Sequence, residues 1–168
     1  LVFGLGTRAV DRVDDDYTRV VALNAPLRRP EGSLDEIVRH TQRRVDFVDL
    51  AGGRLGSGEF SELIGRAQGV PVDLFTTETE GGGRFLTFDG LLTRTGFVKD
   101  FRRLLGTLEG VYGKPVDIEF AVNFLPDGQH YSINLLQCRP LQVQGTHNPE
   151  VPAVECPREG ELLVGRGA

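Results

Sequence analysis

The most regular pattern in the sequence is Val116-Asp-Ile-Glu-Phe-Ala-Val-Asn-Phe124, which is followed after a turn by Tyr131-Ser-Ile-Asn-Leu-Leu-Gln-Cys138. In the first segment apolar residues alternate with more polar ones, as expected of a strand with one buried face. Pro126-Asp-Gly128, between the two segments, is a typical turn sequence. The two segments are therefore predicted to form an antiparallel β-hairpin.

Four polar residues of this hairpin can share the face opposite the apolar one. On the first strand they are Asp117 and Glu119, and on the second they are Gln137 and Arg139. Carboxylate and amide oxygens are ligands for Mg²⁺, and a guanidinium can hold a phosphate oxygen in fork geometry. The other interpretation is a solvated cross-strand charge cluster, worth roughly 0.2 to 1 kcal/mol per pair.

The register of the hairpin decides whether these four side chains meet. A three-residue loop, Asp127-Gly-Gln129, with its glycine left-handed, forms two facing pairs: Glu119 with Gln137, and Asp117 with Arg139. A four-residue loop would instead place Ile118 opposite Gln137 and separate the cluster. We expect the three-residue loop, and a bulge would alter the pairing.

Two helices are predicted from their patterns. Over Gly96–Tyr112 the apolar residues fall on one stripe at spacings of three and four, and Gly113 follows as a C-terminal cap. Ser33 and Glu36 match a capping box, which predicts a short helix over Leu34–His40. Helices packed on a largely antiparallel sheet make the predicted fold class α+β.

The remaining segments give weaker patterns. Residues 1–6 are expected to form a buried strand that ends in a turn, and residues 17–23 a second β-rich stretch. Residues 45–50 are expected to be extended, although they also keep helical spacing. A short helix is expected over 60–68 and an extended segment over 70–77, in a middle third that carries no identifiable chemistry.

Composition and charge exclude several classes of protein. The 168 residues carry a net charge of -5, which argues against non-specific nucleic-acid binding. No apolar run approaches the roughly 20 residues needed to span a bilayer, so a membrane protein is not expected. Cys138 and Cys156 lack a metal-binding spacing and predict free thiols in a reducing, cytoplasmic compartment. Because the chain contains no methionine, we expect it to be part of a longer protein.

Motifs at both ends of the chain resemble one enzyme family. Near the C-terminal end stand Tyr112-Gly-Lys-Pro-Val-Asp-Ile-Glu-Phe-Ala121 and Leu135-Leu-Gln-Cys-Arg-Pro140. At the other end stand Phe3-Gly-Leu-Gly6 and Asp15-Asp-Tyr17. In this order they resemble the nucleotide-binding ATP-grasp domain of phosphoenolpyruvate synthases and pyruvate phosphate dikinases. The resemblance is loose over residues 52–90.

The resemblance implies a role for each matching residue of the hairpin. Glu119 and Gln137 would bind Mg²⁺. Arg139 would contact the phosphates of ATP as the catalytic residue, and Asp117 would support the site. The implied fold is an ATP-grasp-like lobe, and the implied cofactors are ATP and Mg²⁺.

The glycine-rich loop at residues 3–6 departs from the family pattern just after its last glycine. Gly4 and Gly6 would line the nucleotide cleft, although glycines serve equally in a tight turn without a ligand. The family usually carries an acidic residue directly after this loop, where this chain has Thr7-Arg8, and Arg12 stands where the family tends to be small. The loop is therefore expected to hold a ligand differently, or not at all.

The resemblance covers only the later lobe of a two-lobed nucleotide site. Residues 1–143 would form part of the ATP-grasp domain, and the Pro-rich residues 144–168 would form a linker. The earlier lobe, and the phosphohistidine and pyruvate-binding domains, would lie elsewhere in the parent chain. His40, His130 and His147 all lack the setting expected of the phosphate-carrying histidine.

The sequence thus predicts the ATP- and magnesium-binding part of a phosphotransferase that passes phosphoryl groups from ATP through a histidine to pyruvate. The isolated segment is expected to be inactive and to self-associate through apolar residues such as Ile133 and Leu135. Three alternatives stay open: a relative that phosphorylates another acceptor, a degenerate nucleotide-sensing or assembly module, and an interaction domain whose hairpin charges are solvated.

Overall fold

The computed structural model describes residues 1–10, 16–66, 69–125 and 127–141. Helices and strands are interspersed along these ranges. The helices are α1 (Thr7–Val10), α2 (Leu34–Arg39), α3 (Phe60–Leu63, continued by a 3₁₀ turn at Ile64–Arg66), α4 (Val72–Phe75), α5 (Asp89–Arg94) and α6 (Phe97–Tyr112). The strands are β1 (Arg44–Asp49), β2 (Arg54–Glu59), β3 (Thr76–Glu78), β4 (Arg84–Leu86), β5 (Val116–Phe124) and β6 (Tyr131–Pro140).

The strands of the described ranges pair as three antiparallel hairpins, β1–β2, β3–β4 and β5–β6. The predicted α+β class is confirmed, and its antiparallel pairing is divided among two-stranded sheets. An isolated two-stranded hairpin is only marginally stable in water. Each hairpin therefore depends on packing against the helices and the aromatic core.

The core is rich in phenylalanine and is formed by β1, β4 and helices α3 to α6, with the inner face of β5 packed against it. Phe97 is 1% exposed, and the ring of Phe101 lies 4.4 Å from that of Phe120 on β5. Phe75 contacts Phe3 at 5.3 Å and Phe124 at 5.2 Å between ring centroids. Burial of each such ring contributes roughly 1.5 to 3 kcal/mol, so these contacts join the N-terminal segment to the last hairpin.

The two predicted helices are confirmed with small changes at their ends. Helix α6 begins at Phe97, and Gly113 ends it at φ +66° with its N–H bonded to Glu109 O. Before α2, Ser33 Oγ accepts from the N–H of Glu36 at 3.3 Å, as a capping box requires. The Glu36 carboxylate reaches the N–H of Gly32, one residue earlier than expected.

Residues 1–6 do not form the expected strand. The chain bends at Gly4, and the backbone of Phe3 bonds to the side-chain amide of Gln42, which donates to its oxygen at 2.9 Å and accepts from its N–H at 2.8 Å. A buried side chain thus takes the place of a neighbouring strand. An extended pattern cannot distinguish these partners, because both satisfy the same backbone groups.

Two further segments differ from expectation. Residues 17–23 join none of the three sheets and show one isolated bridge, between Ala22 and Ala25. Residues 70–77, expected to be extended, contain helix α4 followed directly by the start of β3. The preference for a strand at 45–50 is confirmed by β1, and α3 with its 3₁₀ turn confirms the short helix expected over 60–68 as far as residue 66.

Candidate functional site

The four hairpin residues meet as the sequence predicts. Glu119 faces Gln137, and Asp117 faces Arg139. The Arg139 guanidinium donates from Nε to Asp117 Oδ2 at 2.8 Å, and its Nη2 lies 2.7 Å from the same oxygen. The two side chains stay 63% and 41% exposed, so the pair lies open to solvent.

The structure reaches this register by a different route. Leu125 donates its N–H to His130 O at 2.8 Å, which leaves four residues between them, so the expected three-residue loop is wrong. A bulge then adds Leu136 to β6, between the pair Phe120–Leu135 and the pair Glu119–Gln137. The extra residue shifts the register by one and restores the expected pairs.

The other face of the hairpin packs against the core. Ile118, Phe120 and Val122 on β5 contact it, as does Ile133 on β6. Since successive side chains of a strand point to opposite faces, the polar pairs project away from the core. The hairpin is therefore held by its core-facing side, and the face that carries the polar pairs is exposed to solvent.

The facing side chains Glu119 and Gln137 are the residues that fit a divalent cation. They present one carboxylate and one amide oxygen, both hard ligands, on neighbouring strands. Within the described ranges, no group of three or more acidic, histidine or cysteine side chains is placed to hold a metal ion. A magnesium ion here would complete its coordination with phosphate oxygens and water, as it commonly does in nucleotide sites.

The turn of the hairpin is fixed by Asp127. Its carboxylate accepts from the backbone N–H groups of Gln129 and His130, at 2.9 and 3.0 Å, and lies 2.5 Å from His130 Nδ1. These hydrogen bonds lower the pKa of Asp127 to about 2, and the bond from the backbone N–H of His130 is the largest cause. Gly128 takes a left-handed φ of +66°, as expected.

The core-facing side of the site strand carries Cys138, a free thiol between Gln137 and Arg139. A hydrogen bond to this thiol, with a smaller contribution from burial, raises the pKa of the Tyr112 hydroxyl. The contact ties the end of α6 to the site strand. Cys156 lies outside the described residues.

The two glycines of the N-terminal loop differ from one another. Gly4 has φ +92°, and a Cβ there would lie 2.5 Å from Asp46 O and 2.6 Å from Val45 Cγ1. Gly4 is therefore required by close packing on β1. A Cβ at Gly6 would meet no atom within 4 Å, so only Gly6 faces open space.

Thr7 and Arg8 bind acidic residues instead of being acidic themselves. Thr7 Oγ1 donates to Asp46 Oδ2 at 2.7 Å, and Arg8 Nη1 donates to Asp16 Oδ2 at 2.6 Å. The hydrogen bond from Thr7 is the largest cause of the lowered pKa of Asp46. The sequence showed the unusual Thr7-Arg8 pair, but it gave no signal for Asp46 as the partner. Arg12 lies outside the described residues.

The glycine-rich loop and the hairpin form two separate clusters. The loop lies on β1, through the bond from Leu5 N–H to Asp46 O. Its described link to β5 is the row of rings Phe3, Phe75 and Phe124 in the core. The structure thus brings together the four hairpin residues and places the predicted loop residues elsewhere on the same core.

Comparison with known protein families confirms the family that the sequence motifs resemble. The family model described as the pyruvate phosphate dikinase AMP/ATP-binding domain matches residues 1–159. The chain belongs to this family. As a pyruvate phosphate dikinase AMP/ATP-binding domain, it is a nucleotide-binding part of a kinase-like, ATP-dependent enzyme. No curated protein and no solved structure gave a significant match. Within the described residues, no helix has the length and apolar character needed to cross a membrane.

Proposed function

We propose that this chain holds magnesium-ATP on the open face of the β5–β6 hairpin, as part of a larger cytoplasmic phosphotransferase. Glu119 and Gln137 bind the metal, and Arg139 binds a phosphate. The observation that carries the proposal is the facing of these residues on one exposed surface, in a chain of an AMP/ATP-binding family. Carboxylate, amide and guanidinium supply the charge neutralisation that phosphoryl transfer needs.

Arg139 is the catalytic residue of this proposal. Asp117 holds its guanidinium at 2.7 to 2.8 Å and leaves part of the donor fork open to solvent. An exposed ion pair of this kind is worth at most about 1 kcal/mol, so Arg139 can turn to a phosphate at small cost. Asp117 therefore holds Arg139 on the site face until a phosphate binds.

The phosphoryl group would then pass to a histidine on another domain and from there to pyruvate. This route rests on the family, and the acceptor would be selected by domains outside this chain. Gly6 would line the nucleotide cleft, with Gly4 fixing the loop behind it. The second lobe of the cleft, together with the phosphohistidine and pyruvate-binding domains, would come from the parent protein.

Without the second lobe, the isolated segment is proposed to be inactive and to self-associate. Leu135 is 42% exposed although it stands on the core-facing side of β6, and Leu136 beside it is exposed by the bulge. Ile133 packs against the core and does not contribute to this patch. Strictly monomeric elution of the isolated segment at high concentration would contradict the self-association.

A degenerate nucleotide-sensing module is the second candidate. The observation that favours it is Arg8, which occupies the place of the expected acid and is bonded to Asp16 and Asp46. A module of this kind would bind nucleotide without turnover. Phosphorylation of a histidine in the full-length protein, with ATP as donor, would exclude it.

The experiment that tests the proposed site is calorimetry of magnesium-ATP binding to the full-length protein. We expect Glu119→Ala and Gln137→Ala each to weaken binding by at least about tenfold and to reduce its dependence on magnesium. Asn123→Ala is the matched control, because Asn123 lies on the same face of β5 and has no proposed ligand. Tight, magnesium-dependent binding that neither variant alters would refute the assignment.

A further inference from the structure

We propose that Arg8 is a positioning residue, which fixes the glycine-rich loop on the β1–β2 hairpin before any nucleotide arrives. The inference deepens the proposed function and rests on it, because the loop is the segment proposed to border the nucleotide. It assigns to Arg8 a role in holding the protein's own loop and excludes direct contact between Arg8 and phosphate.

The contacts of Arg8 reach three separate segments of the chain. Its Nη1 donates to Asp16 Oδ2 at 2.6 Å. Its Nη2 donates to Asp46 Oδ1 on β1 and to Ser57 Oγ on β2, both at 3.2 Å. Its Nε lies 3.1 Å from Asp46 Oδ2 as an ion-pair contact. Both Nη nitrogens therefore donate to the protein, and Nε is buried beside Asp46 without a hydrogen bond, so none of the three faces a ligand.

The acidic partners of Arg8 are themselves held in place. Asp16 Oδ1 accepts from the backbone N–H of Arg43 at 2.7 Å, just before β1 begins. The Arg8 side chain is 11% exposed and that of Asp16 is 6% exposed, so the pair is shielded from water. A shielded and hydrogen-bonded pair is costly to separate, since either charge would remain desolvated without its partner.

Three consecutive contacts bring the loop onto Asp46. The N–H of Leu5 donates to the backbone oxygen of Asp46 at 2.9 Å. The hydroxyl of Thr7 donates to the Asp46 carboxylate at 2.7 Å, and Arg8 pairs with the same carboxylate. Between Leu5 and Thr7 lies Gly6, the position that faces open space. The backbone around Gly6 is thus fixed from both sides by one residue of β1.

Arg8 directly follows the glycine-rich loop, so its contacts can affect how the loop binds a ligand. A loop that becomes ordered when a ligand binds beside it loses conformational entropy, and fixing it in advance removes part of that cost. Arg8 and Thr7 supply this fixing in the place where an acid was expected. Their exchange for other residues is therefore expected to weaken the binding of ATP without removing a ligand contact.

The test is a double-mutant cycle on the full-length protein, with Arg8→Met, Asp46→Asn and the double variant, measured by magnesium-ATP calorimetry. If Arg8 acts through Asp46, each single change weakens magnesium-ATP binding by roughly tenfold. The double variant then binds about as tightly as either single variant. If Arg8 contacts phosphate instead, Asp46→Asn leaves binding intact or strengthens it, and the effects do not overlap. That second result would overturn the inference.

Two further readouts separate this role from general destabilisation. Adenosine binding should change by less than about twofold in Arg8→Met, because the loop is proposed to act on the phosphates. Arg54→Met is the control, since its exposed pair with Asp49 lies at the far end of the same hairpin. An equal loss for adenosine and ATP would contradict the positioning role.

The loop can also be followed without nucleotide. Hydrogen exchange at the Leu5 amide, which is bonded to Asp46 O, should become at least about tenfold faster in Arg8→Met than in the wild type. If the wild-type protein binds no nucleotide, the proposed function fails and this exchange rate still decides whether Arg8 holds the loop. Unchanged exchange at Leu5 would overturn the inference by itself.

Discussion

The glycine-rich loop and the β5–β6 hairpin each carry an arginine–aspartate pair, and the two pairs are placed in opposite ways. Arg8 and Asp16 are 2.6 Å apart and almost fully shielded from water. Arg139 and Asp117 are 2.7 Å apart and largely exposed. Breaking a shielded, hydrogen-bonded pair costs more than breaking an exposed pair, which contributes at most about 1 kcal/mol. The first pair therefore maintains structure, while the second can exchange its partner for a ligand.

The glycine-rich loop and the β5–β6 hairpin also differ in where the groups that fix their backbones lie. Gly4 lies against β1, which leaves no room for a Cβ, and the loop that contains it is fixed by Asp46. On the hairpin, the polar pairs face outward and the fixing groups lie at the turn, at the bulge and on the inner face. Glycines and arginine–aspartate pairs thus have different roles in the loop and in the hairpin, because their surroundings differ.

The largest effect is expected at Gly4, on the structural side of the comparison. Gly4→Ala places a Cβ 2.5 Å from a backbone oxygen of β1 at a left-handed φ, so it should lower the free energy of unfolding by about 2 to 4 kcal/mol. Gly6→Ala, in open space, should change it by less than about 1 kcal/mol. Urea unfolding of the domain checks both, and equal effects of the two changes would remove the distinction between the glycines.

The next largest effect is expected when the register of the β5–β6 hairpin is changed at the Leu136 bulge. Deleting Leu136 removes the bulge but leaves Gln137 opposite Glu119, so magnesium-ATP affinity should stay within about threefold. Inserting one alanine after Leu136 should restore a regular alternation that moves Gln137 from Glu119 to Asp117 and Arg139 past the start of β5, and so weaken binding by about a hundredfold. Calorimetry distinguishes the two, and binding that survives the insertion would show that the shared face is not the site.

A smaller effect is expected from Asp117→Asn. The guanidinium of Arg139 loses an exposed partner worth at most about 1 kcal/mol, so magnesium-ATP affinity should fall by less than about fivefold. The free energy of unfolding should change by less than about 1 kcal/mol, because the pair is exposed. A stability loss as large as that of Gly4→Ala would mean that the hairpin pair is structural too.

The smallest effect is expected at the hairpin turn, through pH. The folded-state pKa of Asp127 is about 2, below its ordinary value near 3.9, so its stabilisation is present above about pH 4 and is lost as the pH falls toward 2. The exchange protection of the Gln129 and His130 amides should fall over this range in the wild type. In Asp127→Asn the protection should be low and nearly constant, and a parallel fall in both proteins would place the cause elsewhere.

The sequence predicts the last hairpin and α6 well because their patterns are local. Alternation over Val116–Phe124 and the apolar stripe before Gly113 each indicate one element and one buried face. The pairing of Glu119 with Gln137 was also predicted, although from the wrong loop length. The bulge at Leu136 compensates, and bulges have no residue type that would announce them here.

The parts that could not be predicted depend on contacts between distant residues. Gln42 replaces a strand partner for Phe3, and Asp46 receives both Thr7 and Arg8 across 38 or more positions of sequence. No local period encodes such partners. The close approach that requires Gly4 likewise exists only once β1 lies beside the loop, which is why its cleft-lining role and its packing role were equivalent from sequence.

Metal-directed cleavage of the full-length protein tests whether the hairpin holds the metal of magnesium-ATP. Fe²⁺ replaces magnesium in this experiment, and ATP and ascorbate are added. Oxidative cleavage occurs close to the bound iron, so we expect ATP-dependent cuts near residues 117–119 and 137–139, on the two strands that face each other. Glu119→Ala should abolish these cuts, and Asn123→Ala should leave them. ATP-dependent cleavage confined to other parts of the protein, with the hairpin intact, would contradict magnesium-ATP binding on the hairpin.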